Sequence, residues 1–265
     1  MRLCTFFEPG RTRLGSVRGD LVQPLDGHDV RDALHGLPAE SGPPVPLEAL
    51  ELAPPLVPGK LLGVGHNYLA HAIERGVPIP VEPLIFSKLV TSVTGPAADI
   101  VRPSYTDALD YEGELAVVIG TRARDVSAAD ALSHVFGYAV MNDVTARDRQ
   151  RTEPQWTRAK GGDTFGPFGP WITTADEVPD PQALRVRTWV RGEPRQDAST
   201  ADMMFGVADL IAWCARSFTL EPGDVITTGT PAGVGEARDP QVFLQPGDVV
   251  RVAIDGLGAI ENTVR

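Results

Sequence analysis

The sequence has little cysteine, no long apolar run and no excess of basic residues, and each absence excludes a class of protein. Its two cysteines, Cys4 and Cys214, are far apart, which argues against a disulfide framework or a thiolate metal site. No stretch approaches the roughly 18 apolar residues that span a bilayer. The N-terminus lacks the basic and then apolar segments of a signal peptide. We therefore expect a cytoplasmic protein with no membrane partner.

Acidic residues outnumber basic ones, and the formal net charge at pH 7 is −11. A negative protein gains nothing from the phosphate backbone, so nucleic acid is not expected as a partner. An anionic small molecule remains possible, because a bound cation can reverse the local field.

Glycine and proline are abundant, with 27 and 24 residues spread along the 265-residue chain. Such punctuation is typical of many short strands joined by tight turns. Residues 1 to about 57 form a small N-terminal unit that ends in a Pro-rich connector. Residues 58–265 form one larger domain, so we expect a mixed α/β, β-rich fold.

Apolar runs and helical spacing place the individual elements of the larger domain. The predicted strands lie at 61–65, 115–119, 137–141, 171–173 and 186–190, and the predicted helices at 67–75, 128–134 and 201–216. Two similar turns, Pro222-Gly223-Asp224 and Pro246-Gly247-Asp248, each precede a short apolar strand. This repeat favours a closed or strongly curved sheet.

Two glutamates run directly into the apolar strand at 115–119. Glu112 and Glu114 share one face of the strand, about 7 Å apart along the chain. A third carboxylate, Asp143, follows the strand at 137–141. Ionised carboxylates beside a buried strand need compensation, and a hard divalent cation with oxygen ligands supplies it. The alternative is a half-exposed strand whose glutamates pair with Arg or Lys.

His71 and Glu74 stand three residues apart, which places them on one face of a helical turn. A carboxylate against one imidazole nitrogen fixes the tautomer and raises the basicity of the other nitrogen, as a water-activating base requires. The alternative is an exposed amphipathic turn without a chemical role.

The chain resembles the fumarylacetoacetate hydrolase family, in particular its acylpyruvate-hydrolase-like branch. The resemblance rests on blocks that follow one another in order at 63–68, 83–88, 110–120, 137–150, 160–170, 220–235 and 244–264. It implies a β-roll core with a small N-terminal domain, assembled as a homodimer. It also implies that Glu112, Glu114 and Asp143 bind Mg²⁺ or Mn²⁺, with Ca²⁺ possible.

The same resemblance assigns roles to further residues. It places the His71–Glu74 pair on a mobile lid, where the segment after it, residues 76–80, orders on binding. It places Lys160 beside a 2-oxo acid substrate. Arg147, Gln150 and Thr230 are implied at the substrate-binding wall. Lys160 could instead be a surface lysine, Arg147 a structural ion-pair partner and Thr230 part of a tight turn.

These assignments imply hydrolysis of a C–C bond in a 2,4-dioxo acid, such as an acylpyruvate or fumarylpyruvate, through a pyruvate enolate. Decarboxylation of oxaloacetate or isomerisation of a 2-hydroxydienoate on the same metal site are alternatives, and so is a non-catalytic or biosynthetic member of the fold. Gly162 stands where the family usually has an aromatic residue, and His66 where many members have Arg or Leu. These departures predict a wider pocket or a shifted lid.

Overall fold

The computed structural model describes residues 1–265, and short strands dominate it. The strands, in chain order, are β1 (Arg2–Glu8), β2 (Arg11–Arg18), β3 (Leu21–Pro24), β4 (Val45–Pro46), β5 (Leu52–Ala53), β6 (Leu61–Gly65), β7 (Leu84–Lys88), β8 (Val93–Thr94), β9 (Leu109–Asp110), β10 (Gly113–Ile119), β11 (Val135–Asn142), β12 (Thr145–Ala146), β13 (Gly166–Thr174), β14 (Arg185–Val190), β15 (Glu193–Ser199), β16 (Val225–Thr227), β17 (Val249–Ile254) and β18 (Gly258–Thr263).

Five α-helices lie between these strands, and only the last exceeds two turns. They are α1 (Leu69–Glu74), α2 (Ala128–Ala131), α3 (Arg147–Thr152), α4 (Thr157–Lys160) and α5 (Val207–Ser217). None of them is long and apolar enough to cross a membrane.

The strands form one large sheet, one smaller sheet and one isolated pair. The large sheet has twelve strands in the order β4-β3-β2-β1-β13-β11-β10-β16-β6-β7, with β5 beside β1 and β8 beside β13. The smaller sheet has four strands in the order β15-β14-β17-β18, and β9 pairs with β12. The prediction of a mixed, β-rich fold is confirmed.

The central strand β10 is buried on both faces, which explains its continuous apolar run. Leu115 and Val117 point into the core shared with the four-stranded sheet. Ala116 and Val118 point the other way, into a second core that also contains Leu3. The strand that begins at the predicted metal site is therefore held between two packed layers.

The N-terminal strands extend the large sheet. β1 pairs antiparallel with β13, where Arg2 lies opposite Thr173 and Leu3 opposite Ile172. The boundary proposed near residue 57 lies between β5 and β6.

The predicted strands at 61–65, 115–119, 137–141, 171–173 and 186–190 are confirmed, as are the helical turns at 67–75 and 128–134. Both predicted turns have their glycine in the left-handed region, with φ of 86° at Gly223 and 92° at Gly247. The aspartate after each glycine accepts a backbone N–H from three residues earlier. The same local chemistry therefore starts β16 and precedes β17.

The helix predicted at 201–216 is wrong at its start, because α5 begins only at Val207. Asn67 binds the backbone just before α5. Its Oδ1 accepts from the Phe205 N–H at 3.0 Å, and its backbone carbonyl accepts from the Met204 N–H at 2.8 Å. These bonds to another part of the chain replace the helical bonds that the spacing predicts. They also tie the residues before α1 to those before α5.

Candidate metal and substrate site

The ends of β10 and β11 bring the three predicted carboxylates together. Asp143 donates its backbone N–H to the Glu112 carbonyl at 2.8 Å, which continues the strand pairing by one step. Glu112, Glu114 and Asp143 are buried, and each offers a carboxylate oxygen within 4.8 Å of the other two. The chain thus builds one compact oxygen cluster from two separate strands.

Two lysines neutralise part of this cluster. The Lys160 ammonium donates to Glu112 Oε2 at 2.5 Å and to Asp143 Oδ2 at 2.6 Å. Lys88, at the end of β7, donates to Asp143 Oδ1 at 2.6 Å and to the Lys160 carbonyl. Burial alone would lower the pKa of Lys160, but Asp143 and Glu112 outweigh burial and raise it. Lys160 is therefore a buried, charged part of the site rather than a surface lysine.

Glu114 differs from its neighbours because no cationic side chain pairs with it. Its Oε2 accepts from the Thr227 hydroxyl and, at 2.8 Å, from the Gly229 N–H. Burial raises the pKa of Glu114 well above its usual range, and the charges of Asp143 and Glu112 act in the same direction. This carboxylate has the least favourable surroundings for its negative charge in the cluster.

The cluster fits a divalent cation. Its four buried carboxylates, with Asp110 as the fourth, exceed by one the three buried cationic side chains Lys88, Arg147 and Lys160. The three groups whose oxygens converge, Glu112, Glu114 and Asp143, are all carboxylates, and hard cations prefer carboxylate oxygens as ligands. Ionised carboxylates accept several partners per group, so their bonds to lysine do not exhaust them.

Arg147, at the start of α3, approaches a protein partner with each of its three guanidinium nitrogens. Its Nε donates to Asp110 Oδ2 at 2.8 Å and its Nη1 to Gln150 Oε1 at 2.9 Å, and its Nη2 lies 2.6 Å from Glu112 Oε1. Burial alone would raise the pKa of Glu112, but Lys160 and Arg147 outweigh burial and lower it. Arg147 thus pairs with a carboxylate of the cluster, and its predicted contact with substrate stays a prediction.

The predicted base lies on α1, above the carboxylates. His71 Nδ1 lies 2.7 Å from Glu74 Oε1, and Glu74 Oε2 accepts from the Gly233 N–H at 2.8 Å. With Nδ1 hydrogen-bonded to the carboxylate, the imidazole leaves Nε2 for other partners. His71 is buried, so the alternative of an exposed turn does not describe it.

A small cavity separates α1 from the cluster. Its polar lining consists of His66, His71, Glu112, Gln150, Lys160 and Thr230. The space that water can occupy is about 10 Å³, roughly what one water molecule needs. The predicted residues His71, Lys160, Gln150 and Thr230 therefore meet at one surface, whereas Glu74 and Arg147 lie behind it.

One aromatic ring that the sequence did not single out completes the cavity wall, and a second ring packs against it. Trp156 lines the cavity, with its ring centroid 5.5 Å from that of His66 and 5.4 Å from that of Phe86. A Cβ on Gly65 would lie 2.7 Å from Trp156, so only glycine permits this approach. A tryptophan between two short helices carried no pattern that marked it.

The two departures from the family pattern behave differently. A Cβ on Gly162 would already contact the Tyr105 hydroxyl and the Phe165 ring at 3.0–3.1 Å, and Gly162 does not line the cavity. The expected widening of the pocket at Gly162 is therefore wrong. His66 does line the cavity, its Nδ1 is buried without a hydrogen-bond partner, and burial together with nearby His71 lowers its pKa to about 4.

The end of α1 and the segment after it expose apolar side chains. Ile73, Ile79 and Val81 have exposed fractions of 64%, 56% and 91%.

The family model described as fumarylacetoacetate (FAA) hydrolase C-terminal matches residues 60–265, and an Rv2993c-like N-terminal model matches residues 1–55. The chain is 46% identical over 215 residues to an oxaloacetate tautomerase, fahd2, from Xenopus laevis, covering 80% of this chain and 67% of that protein.

Solved structures agree with this result over the full length. A fumarylacetoacetate hydrolase from Exiguobacterium antarcticum has 39% identity and a TM-score of 0.91, over 100% of this chain and 99% of that one. A 5-carboxymethyl-2-hydroxymuconate delta-isomerase from Mycobacterium smegmatis has 38% identity and a TM-score of 0.87 over the same shares. On sequence and on fold alike, the chain belongs to the fumarylacetoacetate hydrolase family.

Proposed function

We propose that this protein hydrolyses the C3–C4 bond of a 2,4-dioxo acid of the acylpyruvate or fumarylpyruvate type. One observation carries the proposal: the imidazole that Glu74 orients lies across a water-sized cavity from Glu112 and Lys160. A base, space for water and a site for negative charge are the three parts that this reaction needs.

Glu112, Glu114 and Asp143 are the residues that would hold Mg²⁺ or Mn²⁺. When bound, such an ion acts as a Lewis acid on a carboxylate and 2-oxo group and stabilises enolate charge by several kcal/mol. Lys160 adds a fixed positive charge on the same side of the cavity.

His71 takes a proton from water, and the resulting hydroxide attacks C4. Glu74 stabilises the imidazolium that forms. The C3–C4 bond then breaks, its electron pair remains on the three-carbon fragment as a pyruvate enolate, and the acyl group leaves as a carboxylic acid. Return of the proton to C3 yields pyruvate, so one water is consumed and one molecule of each product forms.

Pyruvate release from acetylpyruvate, measured with Mg²⁺ or Mn²⁺ present, tests the proposal. We expect wild type to release pyruvate and His71→Ala to be slower by about 10² to 10⁴-fold. If His71→Ala cleaves acetylpyruvate at the wild-type rate, the assignment of the base is wrong. If wild type does not cleave it, the hydrolase proposal is wrong for this substrate class.

Isomerisation or tautomerisation of a 2-oxo acid is the second candidate, favoured by the names of the relatives from Xenopus laevis and Mycobacterium smegmatis. These reactions transfer the enol proton to carbon, at C3 in the tautomerisation of oxaloacetate and at C5 of a 2-hydroxydienoate, and need no water attack. Two measurements on oxaloacetate distinguish a tautomerase from a decarboxylase. A tautomerase accelerates the conversion of its enol to its keto form, whereas a decarboxylase releases CO₂ from it. A wild type that accelerates enol conversion but never releases pyruvate from acetylpyruvate would favour the second candidate.

The family resemblance also supports a homodimer, and we include it in the proposal. Light scattering on the purified protein tests it, with about twice the chain mass of 28.4 kDa as the expected value.

A further inference from the structure

The contact between Arg75 and Glu236 has no part in the chemistry described above, yet it joins α1 to a loop on the opposite side of the site. Arg75 follows α1 directly, and its guanidinium forms an ion pair with the Glu236 carboxylate. Glu236 lies in the loop 228–238, which also holds Thr230 and the Gly233 N–H that binds Glu74. The helix that carries His71 is thus held to this loop twice, at Glu74 and at Arg75.

The charges continue inward from Glu236. Its Oε2 lies 3.6 Å from Arg147 Nε, and Arg147 Nη2 lies 2.6 Å from Glu112 Oε1. The backbone N–H of Glu236 also donates to Asp110 at 3.0 Å, and Asp110 is the other carboxylate on Arg147. Alternating charges therefore run without a break from the end of α1 to a carboxylate of the metal-site cluster.

The outermost pair in this series is the most exposed to bulk solvent. The Arg75 and Glu236 side chains are 13% and 10% exposed, whereas Arg147 is 1% exposed. Separation of Arg75 from Glu236 would hydrate both groups, but separation of Arg147 from Glu112 would leave two buried charges unpaired. If α1 moves to admit a substrate larger than one water, the contact between Arg75 and Glu236 is the one in this series that can break at the lowest cost.

Glu236 also shields like charges from each other. Arg75, Arg147 and Arg151 all approach its carboxylate, with Arg151 Nε 3.4 Å from Oε1. Without that carboxylate, Arg75 would face two other guanidinium groups across a partly buried space, which favours displacement of α1. The position of α1 therefore depends on the charge of Glu236.

We propose that Arg75 and Glu236 are positioning residues that hold α1 closed over the carboxylate cluster, so that occupation of the cluster by a divalent cation and closure of α1 favour each other. The part that concerns α1 stands on the contacts alone, and the link to turnover rests on the proposed function. Coupling between two sites is reciprocal for binding free energies, so each effect predicts the other.

The test follows amide hydrogen exchange in α1 and Mn²⁺ affinity in Arg75→Met, Glu236→Gln and the double variant. The reporters are the N–H groups of Arg75 and Val77, which bond to the carbonyls of His71 and Ala72. We expect faster exchange in each single variant without metal, and an affinity for Mn²⁺ weaker by about fivefold or more. The double variant should be no worse than either single one, because the two residues act as a pair.

Arg151→Met is the matched control. It removes a second arginine from Glu236, but Arg151 lies on α3 and its side chain is 48% exposed. Exchange in α1 and Mn²⁺ affinity should stay at wild-type values. If Arg151→Met changes both as much as Arg75→Met does, general loss of charge explains the effect and the proposal is wrong.

Arg75→Lys keeps the proposal testable if the methionine variant does not fold. Lysine retains the charge without the two-pronged guanidinium, so exchange in α1 should fall between wild type and Arg75→Met, or close to wild type. Exchange in α1 that is unchanged in Glu236→Gln would overturn the proposal. If wild type binds Mn²⁺ and shows slower exchange in α1 when the ion is bound, yet cleaves no acetylpyruvate, that result would support the role of the Arg75–Glu236 pair and reject only the proposed substrate.

Discussion

The inner and outer halves of the candidate site are built in different ways. The inner half consists of the carboxylates, at the ends of strands whose core is packed on both faces, and of Lys160 at the end of α4, buried against them. The outer half is α1, a six-residue helix followed by an exposed apolar segment. An isolated helix of that length is not stable in water. The inner half is therefore held by packing. The outer half is held by a few polar contacts, which Glu74 and Arg75 make with the loop 228–238 and Asn67 makes with the backbone at 204–205.

This difference suits the chemistry. Three carboxylates that repel one another need a rigid frame, because small displacements would weaken an ion bound among them. The proposed base lies above a cavity of about 10 Å³. In the proposed reaction it has to move to admit a substrate, so contacts that open at low cost are an advantage. Variants that affect one half and spare the other test this division.

Glu114→Gln should have the largest effect. It removes a proposed ligand, so we expect no measurable Mn²⁺ binding at the concentration that saturates wild type. The loss of several kcal/mol of Lewis-acid stabilisation should lower turnover by on the order of 10³-fold. Without metal, however, the variant should be at least as stable as wild type, because it removes a buried carboxylate that no cation neutralises.

Calorimetric titration with Mn²⁺ and thermal unfolding with and without the ion measure both effects. Glu261→Gln, at an exposed carboxylate on β18, is the control and should match wild type. Wild-type Mn²⁺ affinity in Glu114→Gln would show that the ion, if any, binds elsewhere.

Glu74→Gln should impair the outer half alone. The Gly233 N–H keeps its acceptor only if the amide oxygen faces it, so the amide NH₂ turns toward His71 Nδ1. His71 must then accept at Nδ1 and carry its proton on Nε2, which is the wrong tautomer for a base. We expect turnover to fall by about 10²-fold or more, with Mn²⁺ affinity unchanged.

Steady-state kinetics and a Mn²⁺ titration check this expectation, and exposed Glu48→Gln is the control. A rise in KM with unchanged kcat would mean that Glu74 binds substrate and does not orient the base.

The two halves also differed in how far the sequence predicted them. Glu112 and Glu114 share a face because the period of a strand is two, and the apolar run after them indicates burial. Pattern therefore found the inner carboxylates, and the family resemblance added Lys160. Local pattern could not show that Lys160 contacts Glu112, which is 48 residues away.

Other contacts left no local signal at all. Lys88 reads as the polar end of an apolar strand, but the fold buries it against Asp143. The start of α5 was misplaced because Asn67 binds the backbone at 204–205, and helical spacing does not register such a bond. Arg75 and Glu236 meet only through the tertiary fold. Periodicity reports burial and local structure, whereas polar contacts between distant segments require the coordinates.

Gly113→Ala tests how firmly packing holds the inner half. The added Cβ would lie 2.3 Å from Thr188 Oγ1 and 2.9 Å from Val252 Cγ1, on the four-stranded sheet. Overpacking of this kind costs about 1–3 kcal/mol of unfolding free energy, and urea denaturation measures it. Thr188→Ala in the same chain should restore part of the loss. If the stability of Gly113→Ala were unchanged, the two sheets would have to move apart at little cost to accommodate the added Cβ. The inner half would then not be rigid.

The smallest effect should come from the exposed member of a matched pair of Val→Ala variants, one in each half. Val118 in β10 is fully buried, so Val118→Ala should cost about 2 kcal/mol of unfolding free energy for its two lost methyl groups. Val81 is 91% exposed, and Val81→Ala should stay within about 0.5 kcal/mol of wild type. Urea denaturation at two protein concentrations measures both variants. A loss at Val81 that approaches the loss at Val118 would mean that Val81 is covered in solution. Dependence of that loss on concentration would then assign the cover to a second copy of the chain, and the outer half would owe its position to assembly rather than to the loop 228–238.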